Sequence, residues 1–324
     1  MFASAMKPRG YLLLTILLSI ISGGIYANDP ALFNVEQFDN RTGLSNSAIN
    51  NLFIDKDALL WAGTWDGLNY YDGYSFQHIN YARPDMRSGI SNNVVQNIQQ
   101  DNRNNIWITT IGGISRYDKS TGLIYNYFYS VVPTESISEH EYGIAIDSKN
   151  NTVYAYAAKQ GLLQYSFSGQ RFSKLSLPVN YGTLVKMLID EDHLYLLNTE
   201  GGFYNFKIQG NRLALSQTLN KINNFFVANH RLFITQSDKT LAVYDNAVLS
   251  KKMIVPDHIN AVAYYNNYYL LAWREKGFAA YSATFLPSSY MNDVNKECGE
   301  IKITSFSNNT YGSLWIIVVK LRRR

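Results

Sequence analysis

The chain repeats one strand-rich unit of roughly 40 residues, and this repeat constrains the fold more than any other feature. Residues 44–73 and 90–119 align without a gap at an offset of 46, and nine of the 30 positions are identical. Such a period predicts a repeat architecture in which each unit packs on its neighbours. The identical pairs are Ser45/Ser91, Asn46/Asn92, Asn51/Asn97, Asp55/Asp101, Trp61/Trp107, Thr64/Thr110, Gly67/Gly113, Tyr71/Tyr117 and Asp72/Asp118.

Weaker copies of the unit follow along the rest of the chain. Each copy closes on an aromatic residue, and successive closing residues are 46, 48, 41, 38 and 37 positions apart. Within a copy, short runs of β-branched and aromatic residues alternate with turns rich in Asp, Asn and Gly, which predicts strands joined by turns. Four strands in about 40 residues are the content of one propeller blade. The closing aromatics are Tyr71, Tyr117, Tyr165, Phe206, Tyr244 and Tyr281.

The sequence therefore predicts an all-β fold, a β-propeller of about seven four-stranded blades of which the last is incomplete. One such sheet cannot bury both of its faces alone, whereas blades stacked around an axis bury each face against a neighbour. Segment 32–39 resembles an outer strand and is expected to dock onto the seventh blade. The propeller is placed at 28–319, with blades near 44–81, 90–130, 141–174, 183–217, 222–250, 259–286 and, in part, 301–319.

Two kinds of position in the unit have a predicted structural role. Apolar residues that alternate along the first strand, such as Leu52 and Ile98, are expected to form the core between blades. Gly67 is expected to permit a turn conformation that other residues resist. The aspartates that end the first strand are expected to bond local turn amides, as turn aspartates do: Asp55, Asp101, Asp147 and Asp190.

Residues 1–27 have the pattern of a cleavable export signal. Lys7 and Arg9 supply a positive start, residues 11–21 are apolar, and Ala27 is a small residue suited to cleavage. The alternative is an uncleaved anchor, but the apolar run is shorter than the roughly 20 residues that span a bilayer. The prediction is an exported, periplasmic protein that contacts the membrane only through this leader if it stays uncleaved.

The net charge of +4 belongs to the two ends of the chain. Without Lys7, Arg9 and the four basic residues of segment 320–324, the chain has 23 basic and 25 acidic residues. No basic stripe of the kind that nucleic-acid binding needs is visible, so no nucleic-acid partner is predicted. The single cysteine, Cys298, cannot form an internal disulfide, and the fold must rely on packing.

The first two repeats resemble the two-component regulator propeller family. Residues 43–73 follow its pattern, in one-letter code GLSN followed by LW-x-GT, a Gly turn and YDG, almost position by position. Residues 89–118 follow it too, with Ile114 and Thr109 as departures, whereas the later copies are degenerate.

This resemblance implies the periplasmic sensor region of a bacterial signalling protein. Members usually carry two seven-bladed propellers, a small β-sandwich and a transmembrane helix, followed by a histidine kinase, a hybrid response regulator or a diguanylate cyclase. The family implies an extracellular ligand, often a glycan fragment such as an oligosaccharide, and a homodimer of the full-length sensor. This sequence contains no kinase or cyclase motif, so no enzyme activity is predicted for it.

The repeat breaks in the middle of the seventh copy. After Trp315 the family pattern would continue with Gly-Thr and a Gly turn, whereas here residues 316–319 are apolar and 320–324 form an aberrant basic tail. The hypothesis is a truncated or frameshifted piece of a longer sensor, whose seventh blade lacks its third and fourth strands.

The sequence predicts no catalytic site, no metal site and no cofactor site. The five histidines are widely spaced and do not pair with Cys or His at metal-ligand spacing. The acidic runs 55–57 and 190–192 lack the ligand spacing of a calcium loop and are interpreted as turns. No phosphate loop or nucleophile motif is present.

The candidate ligand-binding residues lie in the turns that follow the second strand of a unit, because propeller ligands usually meet loops at one face or at the channel mouth. Aromatic side chains beside charges there would suit a sugar or a peptide. The candidates are Trp65, Asp66, Trp273, Arg274 and Glu275. The competing interpretation is that they are ordinary edge residues.

Three functions remain open at this point. The first is a ligand-sensing region of a two-component-type signalling protein, favoured by the family pattern. The second is an exported propeller enzyme that acts on glycans, which would need titratable side chains converging from several blades. The third is a protein-interaction scaffold.

Overall fold

Antiparallel sheets follow one another along the chain, six of them four-stranded and one two-stranded, as the repeat predicts. This computed structural model describes residues 36–83, 86–128, 142–210, 212–274, 277–292, 301–308 and 314–320. The leader 1–27, the first half of segment 32–39, and residues 321–324 lie outside the described residues. The prediction of an all-β propeller with an incomplete seventh blade is confirmed.

Blades 1 to 3 have the regular up-and-down order, in which each strand pairs with the next one along the chain. Their second strands are buried almost throughout, because they lie in the middle of the blade with neighbouring blades on both faces. The strands are β1 (Ile49–Ile54), β2 (Leu60–Thr64), β3 (Gly67–Tyr71), β4 (Phe76–Ile79), β5 (Val95–Gln100), β6 (Asn105–Thr110), β7 (Gly113–Asp118), β8 (Leu123–Tyr127), β9 (Tyr142–Asp147), β10 (Thr152–Ala157), β11 (Gly161–Ser166) and β12 (Arg171–Lys174).

Blades 4 to 7 repeat this order, and the last contains two strands among the described residues. The outer strand of blade 5 is mostly exposed, as expected for the edge of a blade. The strands are β13 (Leu184–Asp190), β14 (His193–Asn198), β15 (Phe203–Gln209), β16 (Arg212–Leu219), β17 (Ile222–Ala228), β18 (Arg231–Gln236), β19 (Thr240–Asp245), β20 (Val248–Ile254), β21 (Ile259–Tyr265), β22 (Tyr268–Trp273), β23 (Phe278–Tyr281), β24 (Pro287–Ser288), β25 (Ile301–Asn308) and β26 (Leu314–Lys320).

The two-stranded seventh blade closes the ring. Strand β25 lies between β21 of blade 6 and β1 of blade 1, and β26 also contacts β1. Ile317 is buried against blade 1, where Leu52 belongs to the same apolar cluster. Trp315 contributes to this closure from β26, with its ring centroid 5.6 Å from that of Phe38.

The segment before the first blade lies against this junction without forming a strand in its described part. Residues 36–39 are extended or irregular and lead into a short 3₁₀ helix, Asn40–Thr42, whose N-cap is Asp39. The ring of Phe38 contacts Tyr71 and Phe76 of blade 1 as well as Trp315. The predicted strand at 32–39 is therefore irregular at 36–39, and 32–35 lie outside the described residues.

In blades 1 and 2 a buried aspartate holds both the turn after the first strand and the tryptophan of the second strand. Asp55 accepts hydrogen bonds from the amides of Asp57 and Leu59, and its other oxygen accepts from Trp61 Nε1 at 2.8 Å. Asp101 repeats the arrangement and binds Trp107 Nε1 at 2.7 Å. Charged acceptors make the stronger class of hydrogen bond, so this pairing fixes two strands and a turn at once.

The expectation that aspartates bond local turn amides is confirmed for three of the four units. Asp147 accepts from the amide of Asn150 at 3.0 Å, as Asp55 and Asp101 do in their own turns. The expectation is wrong for Asp190, whose carboxylate accepts from His230 Nδ1 of the next blade at 3.1 Å. The turn after Asp190 is only two residues long, so its geometry differs from that of the longer turns in blades 1 to 3.

Three more residues that the first two repeats share, Ser45, Thr64 and Gly67, also bond within blade 1. The hydroxyl of Ser45 lies 3.1 Å from that of Thr64, which donates to the carbonyl of Gly67 at 2.9 Å. Gly67 has a φ of +103°, and a Cβ there would lie 2.4 Å from Asn80 Oδ1, so glycine is required. The family signature is therefore a set of scaffold contacts.

No helix in the described parts of the chain has the length and apolar character needed to cross a membrane.

We predict that Trp107→Phe lowers the free energy of unfolding by roughly 1–3 kcal/mol, because it leaves a buried carboxylate oxygen of Asp101 without its indole donor. Trp65→Phe is the matched control, because its indole bond is at the surface and is worth less. Urea unfolding of both variants measures the difference. Equal losses for the two variants would contradict the proposed role of the buried bond.

Candidate functional site

The first strands of all seven blades surround a central channel. A cavity of about 850 Å³ occupies it, and β1, β5, β9, β13, β17, β21 and β25 all contribute lining residues. Small-molecule sites typically have volumes of about 300–1,000 Å³. The channel is thus large enough for a ligand and is built from every blade.

A second cavity of about 340 Å³ continues the channel toward its other end. Gln99, Leu188 and Val227 line both cavities, so the two are neighbours along the axis. The smaller cavity ends at Asp190, and burial raises the pKa of this carboxyl although His230 opposes the rise. The two halves therefore differ in charge, with the acid confined to the smaller one among the described lining residues.

A β-bulge near the start of the first strand recurs in six of the seven blades. It displaces one residue from the ladder, such as Asn50 in β1, whereas β9 pairs with β10 without interruption. Bulges leave the extra residue unpaired and turn the strand locally. The bulged residues are Asn50, Gln96, Val185, Asn223, Asn260 and Thr304.

Side chains in the channel wall bond to the first strand of the following blade. Asn50 donates to the carbonyl of Val95 at 2.8 Å, and Asn260 donates to the equivalent carbonyl of Ile303 at 3.3 Å. Further along β5, Gln99 donates to the carbonyl of Ile144 at 3.0 Å. These bonds satisfy backbone groups that face the channel, where no strand can pair with them.

Lys186 makes the corresponding bond between blades 4 and 5, and it is the one charged residue among those described in the lining of the larger cavity. Its ammonium donates to the carbonyl of Phe225 at 2.5 Å and to Asn224 Oδ1 at 3.0 Å. It also lies 4.3 Å from the ring centroid of Phe226. None of the ion pairs between described residues includes Lys186.

The environment of Lys186 disfavours its charged form. Burial lowers the pKa of its ammonium from 10.5 to about 7, because the charged form loses hydration that neutral acceptors do not fully replace. The residue as a whole is half-buried, since one side of it faces the channel. A perturbed lysine in a cavity is typical of functional sites.

Three further polar atoms in the channel wall have no hydrogen-bond partner among the described residues. They are Asn51 Oδ1, Thr109 Oγ1 and Thr304 Oγ1, contributed by blades 1, 2 and 7. Thr109 is only 1% exposed. Buried polar groups are normally paired, so these three atoms are exceptions in a wall where side chains such as Asn50 and Gln99 are hydrogen-bonded.

Trp65, one of the residues predicted to bind a ligand, lines the larger cavity at its mouth. It is 53% exposed, and its indole donates to Asn50 Oδ1 at 3.0 Å. The neighbouring Asp66 accepts from Asn93 of blade 2 at 3.0 Å, which ties the turn to that blade. An exposed aromatic ring on a fixed turn can stack against a ligand.

The structure separates Trp273 from this mouth. Trp273 pairs with Ile259 in the register that Thr64 has with Ile49, so it is the counterpart of Thr64 and points into the core, where it is 5% exposed. The counterpart of Trp65 is the exposed Arg274, whose amide bonds the carbonyl of His258. Glu275 lies outside the described residues.

Sequence reasoning missed Lys186 and the unpaired polar atoms of the channel. The repeats do contain a signal for the lysine. The residue after the bulge is an asparagine in three other blades, Asn51, Asn97 and Asn224, and Lys186 occupies that position in blade 4. Blades 6 and 7 have the small residues Ala261 and Ser305 there, so Lys186 is the one charged residue at this position among the six bulged strands.

No group of three or more His, Cys, Asp or Glu side chains suited to a metal occurs in the described part of the chain.

Comparison with solved structures supports the fold. The chain superimposes on the extracellular domain of the hybrid two component system BT3049 from B. thetaiotaomicron with a TM-score of 0.67, at 17% identity, covering 87% of this chain and 40% of that one. The corresponding domain of BT4673 from the same organism gives 0.65 at 16% identity, covering 88% and 41%. The chain thus spans about 40% of the length of these two domains.

An enzyme shares the architecture more distantly. Virginiamycin B lyase from Staphylococcus aureus superimposes with a TM-score of 0.52 at 12% identity, over 71% of this chain and 78% of that one. At such low identity these structures establish the fold alone. A search of curated protein sequences found no significant match.

The fold is a propeller similar to those of the BT3049 and BT4673 extracellular domains. At the sequence level, residues 89–112 match the family described as "Two component regulator propeller". The match covers the second repeat, and the solved structures extend the likeness in fold to most of the chain.

We predict that the wild type gains stability relative to Lys186→Met as pH rises from about 7 to about 10. The quantity compared is the unfolding free energy of the wild type minus that of the variant. In that window the folded lysine has lost its proton while the unfolded one keeps it, so the burial penalty of the wild type disappears. Urea unfolding at about pH 6.5 and about pH 9.5 measures this. A difference that stays constant with pH would show that the ammonium is not disfavoured by its site.

Proposed function

We propose that the chain is a ligand-sensing propeller from the periplasmic part of a two-component-type signalling protein. The family repeat and the similarity to extracellular domains of hybrid two component systems support this role. The output module, the membrane anchor and a homodimer would belong to a longer protein of this family.

The observation that carries the proposal is the central channel. Every propeller has a central channel, but a rigid spacer has no need of a lysine in the channel wall that bonds only neutral acceptors. Leaving buried polar groups unpaired costs about 1–3 kcal/mol each, which a bound ligand offsets. A ligand that enters past Trp65 would reach these groups.

Export fits the same role. The leader at 1–27 would direct the chain to the periplasm, where the ligand of a sensor arrives. An oligosaccharide is the ligand class implied by the family, and the exposed ring of Trp65 offers the kind of surface on which a sugar ring stacks.

We predict that at least one oligosaccharide from a panel raises the melting temperature of the protein by several degrees. Ligand at 100 times its Kd stabilises the folded state by about 2.7 kcal/mol, and in a protein of this size each 1 kcal/mol shifts the midpoint by roughly 2–4 °C. Thermal shift of the full chain against the panel measures the effect. Trp65→Ala should reduce the shift.

Tyr74→Ala is the matched control, because Tyr74 is 94% exposed in the turn at the opposite end of blade 1. It should leave the ligand-induced shift unchanged. The absence of a shift with every compound would favour the scaffold function instead. Release of products from any panel member would favour the glycan-active enzyme.

A further inference from the structure

We infer that the channel selects a small polyhydroxylated carboxylate, such as a sugar acid, with Lys186 as the counter-charge. This inference rests on the proposed function and specifies the ligand of the same site. It follows from the charge, the hydrogen-bonding groups and the position of Lys186 in the channel wall.

Among the described residues, no negatively charged group pairs with the ammonium of Lys186. Its two hydrogen-bond acceptors, the carbonyl of Phe225 and the amide oxygen of Asn224, are both neutral. An ammonium has three N–H donors, so one remains for a ligand. A carboxylate would make a charge-assisted bond, which is stronger than a neutral one and stronger still inside a cavity of low dielectric.

The rest of the lining favours an anion over a cation. The described residues around the larger cavity include no Asp or Glu. Asp190 lines the smaller cavity and bonds His230. The other titratable groups on the strands beside Lys186 are Tyr142 and Asp147 on β9, Tyr154 and Tyr156 on β10, and His193 and Tyr195 on β14.

The polar side chains that line the cavity suit the hydroxyl groups of such a ligand, and those of Asn51, Thr109 and Thr304 have hydrogen-bonding capacity to spare once they turn toward it. Asn51 Oδ1 accepts a hydrogen bond, and the hydroxyls of Thr109 and Thr304 can both donate and accept. They come from three blades, so a ligand that satisfies them together with Lys186 spans the channel. A ligand with one carboxylate and several hydroxyls fits this set better than an apolar acid does.

The side chain of Lys186 also lies between the two adjacent inner strands that approach each other least closely. Strands β13 and β17 approach each other less closely than any other adjacent pair of the seven inner strands described. The bonds from Lys186 to Asn224 and Phe225 join these two strands. Binding of a carboxylate to the same ammonium would therefore be felt directly at the contact between blades 4 and 5.

The test compares matched probes that differ in one group. D-glucuronate and D-galacturonate are titrated into the full chain at about pH 6, beside D-glucose and D-galactose, with thermal shift and calorimetry as readouts. We expect a sugar acid to bind more tightly than its neutral counterpart. Lys186→Met should weaken acid binding by about tenfold or more, the usual value of a bond to a charged group.

Two further variants control for changes in charge and folding. Lys207→Met removes an exposed lysine that lies outside the cavity lining, and it should leave the preference for acids intact. Lys186→Arg retains the charge and should retain part of the preference. Affinity for the acid should fall as pH rises above about 7, as Lys186 loses its proton.

A measurement on the wild type makes the test independent of whether Lys186→Met folds. Lysine side chains labelled with ¹³C at Cε report their protonation by NMR, and D-glucuronate should move the Lys186 signal while D-glucose should not. Equal binding of acids and neutral sugars, or acid binding unchanged in Lys186→Met, would overturn the inference and leave the proposed function intact. If no acid, neutral sugar or panel oligosaccharide binds, both are wrong.

Discussion

Seven inner strands each turn one edge toward an open channel, where no further strand can pair with it. The backbone groups on these edges still need partners. Much of this need is met by side chains that reach from one blade to the first strand of the next, and the rest of the ring depends on them. The bonds run from Asn50 to Val95, from Gln99 to Ile144, from Lys186 to Phe225 and from Asn260 to Ile303.

The fold was predictable because its determinants are local and repeated. Asp55 and Asp101 are each buried, each begin a turn, and each bond a tryptophan six residues later. Gly67 and Gly113 form the same glycine turn in the two repeats. Where the local pattern changes, prediction failed. In blade 4 the turn after Asp190 is short and Tyr195 stands in the position of the tryptophan. The carboxylate of Asp190 bonds a histidine of another blade instead, which no local pattern indicates.

The candidate site was less predictable, because the residues that form it come together only when the ring closes. Trp65 and Trp273 were predicted at equivalent positions of two units, but Trp273 lies one register position earlier than Trp65. In a strand that single step moves a side chain to the other face. Lys186 and Thr304 are far apart in sequence, and nothing local indicates that both face one cavity.

The closure of the ring between the seventh and first blades joins the two most distant parts of the described chain. Each of the six four-stranded blades pairs strands that follow one another in the chain. The contacts within a blade can therefore form as soon as that segment collapses. The contact of β25 with β1 closes a loop of about 250 residues, and the entropic cost of such a loop must be met before the contact stabilises anything. Closure is therefore expected to be the slow step of folding, and an open ring, with both end blades uncovered, would be the species most exposed to misassembly.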